Sequence, residues 1–292
     1  MNNLPSPGTL YRKFNVQELI NMTLKKAYHT LVIILILATV TVALFALGVS
    51  KIALSWGIIG FSIAFGLATI TLIYGVYSLK KEKVNDNAHI LVRYRYEVLD
   101  WLSFLGVSMM VIFIVFMFFL LPSDVSQNSM LPTLNDGDRI LLYHFNYQPN
   151  RGDVVVVGVT KAEYPNVPIM SFYDQNTGEF KDSIFFVKRI IAVPGDQLRF
   201  VNYDNQTGRY QISVNNEIVL TPYDEPYHAT ESQREQMEKD LDLSTNEVLE
   251  GVYFTFGDNA EISFDSRSFG AVKEKDVLGK VIYRFWPMGG IS

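Results

Sequence analysis

Ser129 and Lys188 are the two side chains whose types and settings suggest a joint catalytic role. Ser129 lies in residues 127–134, before an apolar residue and a Pro-Thr turn, which is a setting that can expose a hydroxyl beside a pocket. Lys188 lies in the apolar run 184–191, where strand alternation places it on the same face as Phe186. Burial on such a face lowers the pKa of a lysine, and the neutral amine can then accept a proton from a serine hydroxyl.

A polar cluster at residues 257–270 offers the supports that a serine–lysine pair needs. Ser263 could orient the lysine amine, and Asp265 could pair with Arg267 to hold the loop near the site. Each stretch also has a purely structural interpretation, because loop serines often satisfy turns and strand lysines often extend their ammonium groups to water. The case for catalysis therefore depends on the wider pattern.

The composition narrows the class of protein. The chain has 292 residues, a formal net charge of −5 and no cysteine, which excludes disulfides, thiolate zinc sites and a cysteine nucleophile. The absence of a basic excess argues against nucleic acid as a partner. The histidines are scattered without metal-ligand spacing, so no metal or other cofactor is expected; they are His29, His89, His144 and His228.

Residues 1–122 are predicted to form a membrane anchor. The runs 31–49, 52–79 and 101–122 contain no charged residue, and each reaches the roughly 20 residues that a membrane-spanning helix needs. Three such runs in succession are not typical of a soluble core, and the first is too long and too far from the N-terminus for a cleaved signal peptide. We expect three transmembrane helices in contact with the lipid bilayer.

The loop charges predict the orientation of this anchor. Basic residues concentrate before the first run and between the second and third: Arg12, Lys13, Lys25, Lys26, Lys80, Lys81, Lys83, Arg93 and Arg95. Only Lys51 lies between the first two runs. By the positive-inside rule the N-terminus is cytoplasmic, and everything after the third span is extracytoplasmic. Only seven residues separate Leu121 from Ser129, so we expect the site close to the outer membrane surface.

Residues 123–292 are predicted to form a mainly β domain, because short apolar runs alternate with turn signals. The predicted strands are residues 139–143, 153–159, 184–193, 198–203, 210–214, 217–220, 252–256 and 277–285. Residues 158–182 and 221–250 are interpreted as insertions. Within the second, the polar run 230–239 has helical propensity but little apolar face, which predicts an exposed surface helix.

Taken together, these residues resemble the type I signal peptidase family in its bacterial form. The matching blocks follow in order: 129–134 (Ser-Met-Leu-Pro-Thr-Leu), 151–155 (Arg-Gly-Asp-Val-Val), 187–190 (Val-Lys-Arg-Ile), 194–196 (Pro-Gly-Asp), 257–259 (Gly-Asp-Asn) and 263–267 (Ser-Phe-Asp-Ser-Arg). The resemblance implies a serine–lysine dyad endopeptidase, multi-pass in the plasma membrane of a bacterium, that removes signal peptides from exported preproteins. The translocation machinery is a candidate partner of the additional helices.

The resemblance also implies residue roles. Ser129 would be the nucleophile and Lys188 the general base, with Ser263 positioning the lysine. Asp265 and Arg267 would form a structural ion pair. Relatives with histidine in place of the lysine belong to the endoplasmic reticulum and archaea, so the lysine indicates the bacterial type.

Further roles concern the substrate. Met130 and Phe186 would border the pockets for small residues at positions −1 and −3 of an A-x-A-like site. The Ser129 backbone N–H would stabilise the oxyanion. Many family members place serine or glycine two residues before the nucleophile, whereas this chain has Gln127, whose amide is the candidate second donor.

Two other classes of protein remain as alternatives. A self-cleaving serine–lysine protein of the phage-repressor type has similar dyad chemistry, but its members are soluble and carry a DNA-binding part. A catalytically silent, membrane-anchored binding module would also explain the two-part architecture. Transport is disfavoured because the three apolar runs contain no charged residue that could line a path.

Overall fold

The computed structural model describes residues 16–49, 55–81, 90–174 and 178–290, and it divides into two compact units. The first unit, Met1–Phe119, contains three helices: α1 (Val16–Ala46), α2 (Ser55–Lys81) and α3 (Ile90–Phe118). Four of the basic residues that bear on orientation lie outside the described residues: Arg12, Lys13, Lys51 and Lys83.

Two segments of these helices, Leu24–Ala46 and Trp101–Phe118, are long and apolar enough to cross a membrane, judged by length and composition. Helix α2 contains a shorter apolar stretch, Gly57–Ile70. Most of the large apolar side chains described on the first segment are exposed. The arrangement of apolar helices followed by a mainly β unit is confirmed, whereas the number of spans and their orientation stay predictions.

The third apolar run ends differently from the prediction. The sequence favoured a helix through residue 122, but α3 ends at Phe118 and strand β1 occupies Leu120–Asp124. This strand pairs antiparallel with Arg139–Tyr143 and forms the edge of its sheet, where the missing N–H of Pro122 is tolerated. The compact β unit therefore begins at Leu120, earlier than the predicted start at residue 123.

The β unit is built around two antiparallel sheets. Besides β1, the larger contains β2 (Arg139–Tyr143), β3 (Val154–Thr160), β6 (Ser183–Ala192), β13 (Val252–Phe256), β14 (Val272–Lys273), β15 (Val277–Trp286) and β16 (Met288–Gly289). These eight strands follow the order β1-β2-β15-β3-β6-β13-β14, with β16 beside β15. The smaller sheet contains β7 (Leu198–Asp204), β8 (Arg209–Val214), β9 (Glu217–Ile218) and β10 (His228–Thr230).

Strand β6 is the element that separates the two cores of this unit. It lies between β3 and β13, and Lys188 pairs in register with Val155. Ile190 packs into one cluster of buried side chains, while its neighbour Ile191 packs into the other. Residues two apart therefore share a face, as predicted, and Lys188 lies on the face of Phe186 and Ile190.

The described residues of the two segments interpreted as insertions contain helices and strands. The first contains a 3-10 helix, Ile169–Phe172, and a small hairpin of β4 (Tyr173–Asp174) and β5 (Glu179–Phe180). The second contains β10, helix α4 (Glu231–Glu238), and a hairpin of β11 (Leu241–Asp242) and β12 (Glu247–Val248). A short helix α5 (Ser266–Phe269) lies in the polar cluster.

Helix α4 forms within the predicted run 230–239 and is largely exposed or half-buried, but one of its side chains enters the core. Its start is stabilised by a capping box between Thr230 and Gln233. Met237, however, is 0 % exposed and belongs to a core cluster with Tyr227 and Leu241, which come from the same segment. Met237 is the one buried side chain of this helix, and it attaches the helix to the core.

Replacement of Met237 by alanine tests this docking. The cavity should lower the free energy of unfolding by about 2–5 kcal/mol. Glu235→Ala, at an exposed position of the same helix, should change it by less than about 0.5 kcal/mol. Denaturant unfolding of the full chain in detergent measures the unfolding free energy of both variants. A loss for Met237→Ala as small as that for Glu235→Ala would contradict a role of Met237 in the core.

Candidate active site

Ser129 lies in a turn that follows edge strand β1. The turn is closed by a hydrogen bond from the Leu134 N–H to the Met130 carbonyl at 2.9 Å. The Ser129 carbonyl accepts a hydrogen bond from the Asn259 N–H at 3.0 Å, so the turn is tied to the loop after β13. This tie fixes the backbone that carries the hydroxyl, although the two segments are far apart in the sequence.

Lys188 reaches this hydroxyl from the centre of the large sheet. Its Nζ lies 2.9 Å from Ser129 Oγ and 3.2 Å from Ser263 Oγ. The residue is only 2 % exposed, and its Nζ lies 5.5 Å from the centroid of the Phe186 ring. The structure thus brings together the three polar groups that the sequence singled out, at a position where the amine is buried from solvent.

The pKa of Lys188 is lowered from its ordinary value to about 8. Burial is the main cause, because the ammonium form loses its hydration. The charge of Arg267 acts in the same direction, whereas the carboxylates of Asp265 and Asp258 oppose it. A substantial fraction of the amine is therefore neutral near pH 8 and able to accept a proton from the serine.

Asp265 and Arg267 form a buried ion pair, with Nη2 2.9 Å from Oδ2 and side chains 5 % (Arg267) and 0 % (Asp265) exposed. Asp265 caps helix α5 and also accepts the Gly257 N–H at 3.0 Å. Burial alone would raise the pKa of Asp265, but the charge and hydrogen bonds of Arg267 hold it below its usual range. Arg267 also donates to the carbonyls of Ala260 and His228, at 2.8 and 3.3 Å. The pair thus holds the loop that carries Ser263.

A second buried network was not assigned from the sequence. Arg189 makes two parallel hydrogen bonds of 2.8 Å to Asp258, whose side chain is fully buried. Thr133 donates a short hydrogen bond to the same carboxylate, and Arg189 also reaches the Gly152 carbonyl at 3.0 Å. Two features of the sequence could have pointed to this network: Arg189 lies on the strand face opposite to Lys188, and Asp258 follows Gly257. Neither feature shows that Arg189 and Asp258 are partners.

The backbone of Gly257 lies against the site. A Cβ at this position would lie 2.2 Å from Ser263 Oγ and 2.5 Å from the Ser129 carbonyl oxygen. Both distances are far below a van der Waals contact, so only glycine allows these groups to meet. Its requirement is for space and not for backbone freedom, because it does not lie among the glycines with positive φ.

The remaining candidates occupy different settings. Gln127 is exposed, has a φ of 75° in the left-handed region, and donates its N–H to Asp136 at 2.8 Å. Met130 is 1 % exposed, directly after the serine. Phe186 is half-buried and stacks on Phe269, with ring centroids 6.3 Å apart. Their contributions to oxyanion or substrate binding stay predictions.

Arg267→Met tests the buried ion pair. Removing the guanidinium leaves the Asp265 carboxylate buried without its partner, so unfolding free energy should fall by about 3–5 kcal/mol. Arg209→Met removes an exposed pair with Glu261 and should cost less than about 1 kcal/mol. Thermal unfolding in detergent compares the two variants, and similar losses would contradict a special role of the buried pair.

Comparison with known proteins places the chain in a family. The family model described as signal peptidase, peptidase S26, matches residues 98–286. Signal peptidase IB of Staphylococcus aureus (strain COL) is 32% identical over 205 residues, which cover 65% of this chain and 91% of that protein. Signal peptidase I of Leptolyngbya laminosa is 28% identical over 172 residues, covering 58% and 70% respectively. A crystal structure of a signal peptidase I from Enterococcus faecalis V583 aligns with 22% identity and a TM-score of 0.28, covering 46% of this chain and 97% of that one. The chain belongs to the signal peptidase family, peptidase S26.

Proposed function

We propose that this chain is a membrane-anchored serine endopeptidase that removes N-terminal signal peptides from exported preproteins, with Ser129 as nucleophile and Lys188 as general base. The observation that carries the proposal is the 2.9 Å contact between Lys188 Nζ and Ser129 Oγ inside the β unit. Burial and the lowered pKa of Lys188 supply the neutral amine that the contact requires. Membership of the signal peptidase family supports the choice of substrate.

In the acylation step, the neutral Lys188 amine takes the proton from Ser129 Oγ as this oxygen attacks the carbonyl carbon of the scissile bond. The tetrahedral intermediate then collapses, and the C–N bond breaks. The lysine ammonium returns its proton to the departing amine, which becomes the N-terminus of the mature protein. The signal peptide stays attached to Ser129 as an ester.

Water completes the cycle. The same Lys188 amine deprotonates a water molecule, which attacks the ester carbonyl, and Ser129 Oγ leaves with the proton that the lysine returns. Ser263, 3.2 Å from the amine, keeps it directed at the serine during both steps. Asp265 and Arg267 act at one remove, because they hold the loop that carries Ser263.

The oxyanion of each tetrahedral intermediate needs hydrogen-bond donors. The Ser129 backbone N–H is the first donor in this proposal. Gln127 can contribute only through its side-chain amide, since its own N–H already donates to Asp136. The exposed position of the Gln127 side chain leaves that amide free to turn toward a bound substrate.

Substrate recognition follows from an extended segment beside the active-site sheet. Alternate side chains of such a segment point to the enzyme, so the residues at positions −1 and −3 meet its surface together. Met130 and Phe186 border these two pockets in the proposal, and bulky side chains of this kind leave room only for small residues. Cleavage after an A-x-A-like sequence is the expected result.

The proposal places the enzyme in a bacterial plasma membrane with its N-terminus in the cytoplasm and its β unit outside. The signal peptide would lie in the bilayer, and its cleavage site would emerge at the outer surface. The two segments long and apolar enough to span support anchoring. The basic residues around the apolar runs support the orientation.

Ser129→Ala and Lys188→Met test the dyad. Each should lower cleavage of a purified preprotein with an Ala-x-Ala site by ~10³-fold or more, because either change removes the activated nucleophile. Both variants should stay folded, since alanine and methionine fit a buried site. Lys181→Ala, at an exposed lysine just before the same strand, should retain parental activity.

Three results of this assay count against the proposal. Near-parental cleavage by Lys188→Met would exclude lysine as the base, and activity of Ser129→Ala would exclude the serine. If the unmodified chain failed to cleave several such preproteins, an anchored binding module would be the better interpretation.

The pH profile provides an independent test. Since the reactive form of Lys188 is neutral and its pKa is about 8, kcat/KM should rise about tenfold per pH unit below pH 8 and level off above it. A limb near pH 6.5 would instead indicate a histidine, and one near pH 10.4 a hydrated lysine. Initial rates between pH 6 and 10, with folding checked by fluorescence at each pH, measure the profile.

A further inference from the structure

We infer that Tyr227 is a positioning residue of the active site and that residues 221–250 fix the geometry of the serine–lysine pair through its hydroxyl. This inference rests on the proposed function. Tyr227 is 0 % exposed, and its hydroxyl donates to the Gly257 carbonyl at 3.2 Å. Tyr227 and Gly257 are thirty positions apart, and neither bears a group that reacts with substrate.

Tyr227 itself is firmly held. Its N–H donates to the Val219 carbonyl and its carbonyl accepts the Ile212 N–H, both at 3.0 Å. Its ring lies against Phe256, with centroids 5.2 Å apart, and 5.7 Å from the Arg267 guanidinium carbon. Backbone pairing to the small sheet and ring packing on the large sheet leave the hydroxyl little freedom. Burial raises the pKa of Tyr227, so the hydroxyl keeps its proton and remains a donor.

Gly257 is consequently clamped at both of its polar groups. Its N–H donates to Asp265 Oδ2 at 3.0 Å, and its carbonyl accepts from Tyr227. These two contacts come from different parts of the chain and approach the glycine through different atoms. Together they hold the two peptide groups that flank the Gly257 Cα, whereas either contact alone would leave the other group free to rotate.

The position of Gly257 is transmitted directly to the reacting groups. Its Cα faces Ser263 Oγ and the Ser129 carbonyl so closely that a methyl group could not fit between them. Two residues further on, the Asn259 N–H holds the Ser129 carbonyl, and the Asn259 carbonyl accepts the Ser263 N–H at 3.1 Å. A shift of Gly257 therefore moves both hydroxyls that contact Lys188. Tyr227 limits that shift without touching substrate.

The neighbour of Tyr227 supports the same assignment. The carbonyl of His228 accepts a hydrogen bond from Arg267, the partner of Asp265. Two consecutive residues of one segment thus contact the loop that carries Ser263, Tyr227 at Gly257 and His228 at the ion pair. A segment that only covered the surface would need neither contact.

Tyr227→Phe tests the inference because it removes one hydroxyl and keeps the ring. We expect kcat on an Ala-x-Ala preprotein to fall between about 10- and 100-fold with KM nearly unchanged, since a small misplacement affects the reacting atoms and not the substrate subsites. Better hydration of Lys188 should also move the acidic limb of kcat/KM to higher pH, with Asp258, Asp265 and Arg267 unaltered.

Tyr164→Phe is the matched control. Tyr164 is also buried, 4 % exposed, and its hydroxyl donates to Asp276 at 2.6 Å, with no contact to Gly257. Rates are divided by the folded fraction, determined by thermal unfolding at the assay temperature, so that partial unfolding does not imitate an active-site effect. We expect Tyr164→Phe to keep the parental kcat and pH profile.

A double-mutant cycle with Ser263→Ala locates the route. If Tyr227 acts through Gly257 on Ser263, the fold loss in kcat of the double variant should be smaller than the product of the two single losses. Multiplicative losses, or a Tyr227→Phe variant whose kcat and acidic limb match those of Tyr164→Phe, would overturn the inference. If the parental chain cleaves normally while these results are found, only the inference about Tyr227 fails. An inactive parental chain would instead contradict the proposed function.

Discussion

The loss of hydration at the buried ammonium group of Lys188 is the constraint that the rest of the site has to accommodate. Lys188 extends from the middle of the largest sheet into a region buried from solvent, where its Nζ donates to the hydroxyls of Ser129 and Ser263. Hydroxyls stabilise a charged amine less well than water does, so the proton is held weakly. In the proposed mechanism, a serine beside such an amine has a base without any histidine. The surrounding structure has to keep water out and the two hydroxyls in place.

Two buried ion pairs hold the site in place without raising the pKa of Lys188 back to its ordinary value. Asp265 pairs with Arg267, and Asp258 pairs with Arg189, so each carboxylate has its own guanidinium. An unpaired carboxylate at either position would attract the proton to Lys188 and raise its pKa. At Lys188 the charge of Arg267 opposes that of Asp265, and burial remains the largest influence on the pKa. The pairs thus supply rigidity to the loop at a small electrostatic cost to the base.

The sequence predicted the reactive core of the site better than its supports. Strand alternation was sufficient to place Lys188 on an apolar face, and ordered motifs linked it to Ser129 and Ser263. Strand β1 was missed because its leucines continue the apolar run of the preceding helix and Pro122 suggested a break. Tyr227 and Met237 were missed because single apolar residues in a polar segment have no periodicity. Contacts such as Thr133 to Asp258, 125 positions apart, leave no local signal.

The alternation of strand β6 has a consequence for molecules that fold incorrectly. Adjacent residues of the strand point to opposite faces, so a slip of one position would bring Arg189 to the place of Lys188. A guanidinium does not release its proton in proteins, so Arg189 could not act as the base in the proposed mechanism. Errors of register would therefore produce inert molecules and not proteases with altered specificity. For a peptidase, loss of activity is a safer failure than the cleavage of wrong substrates.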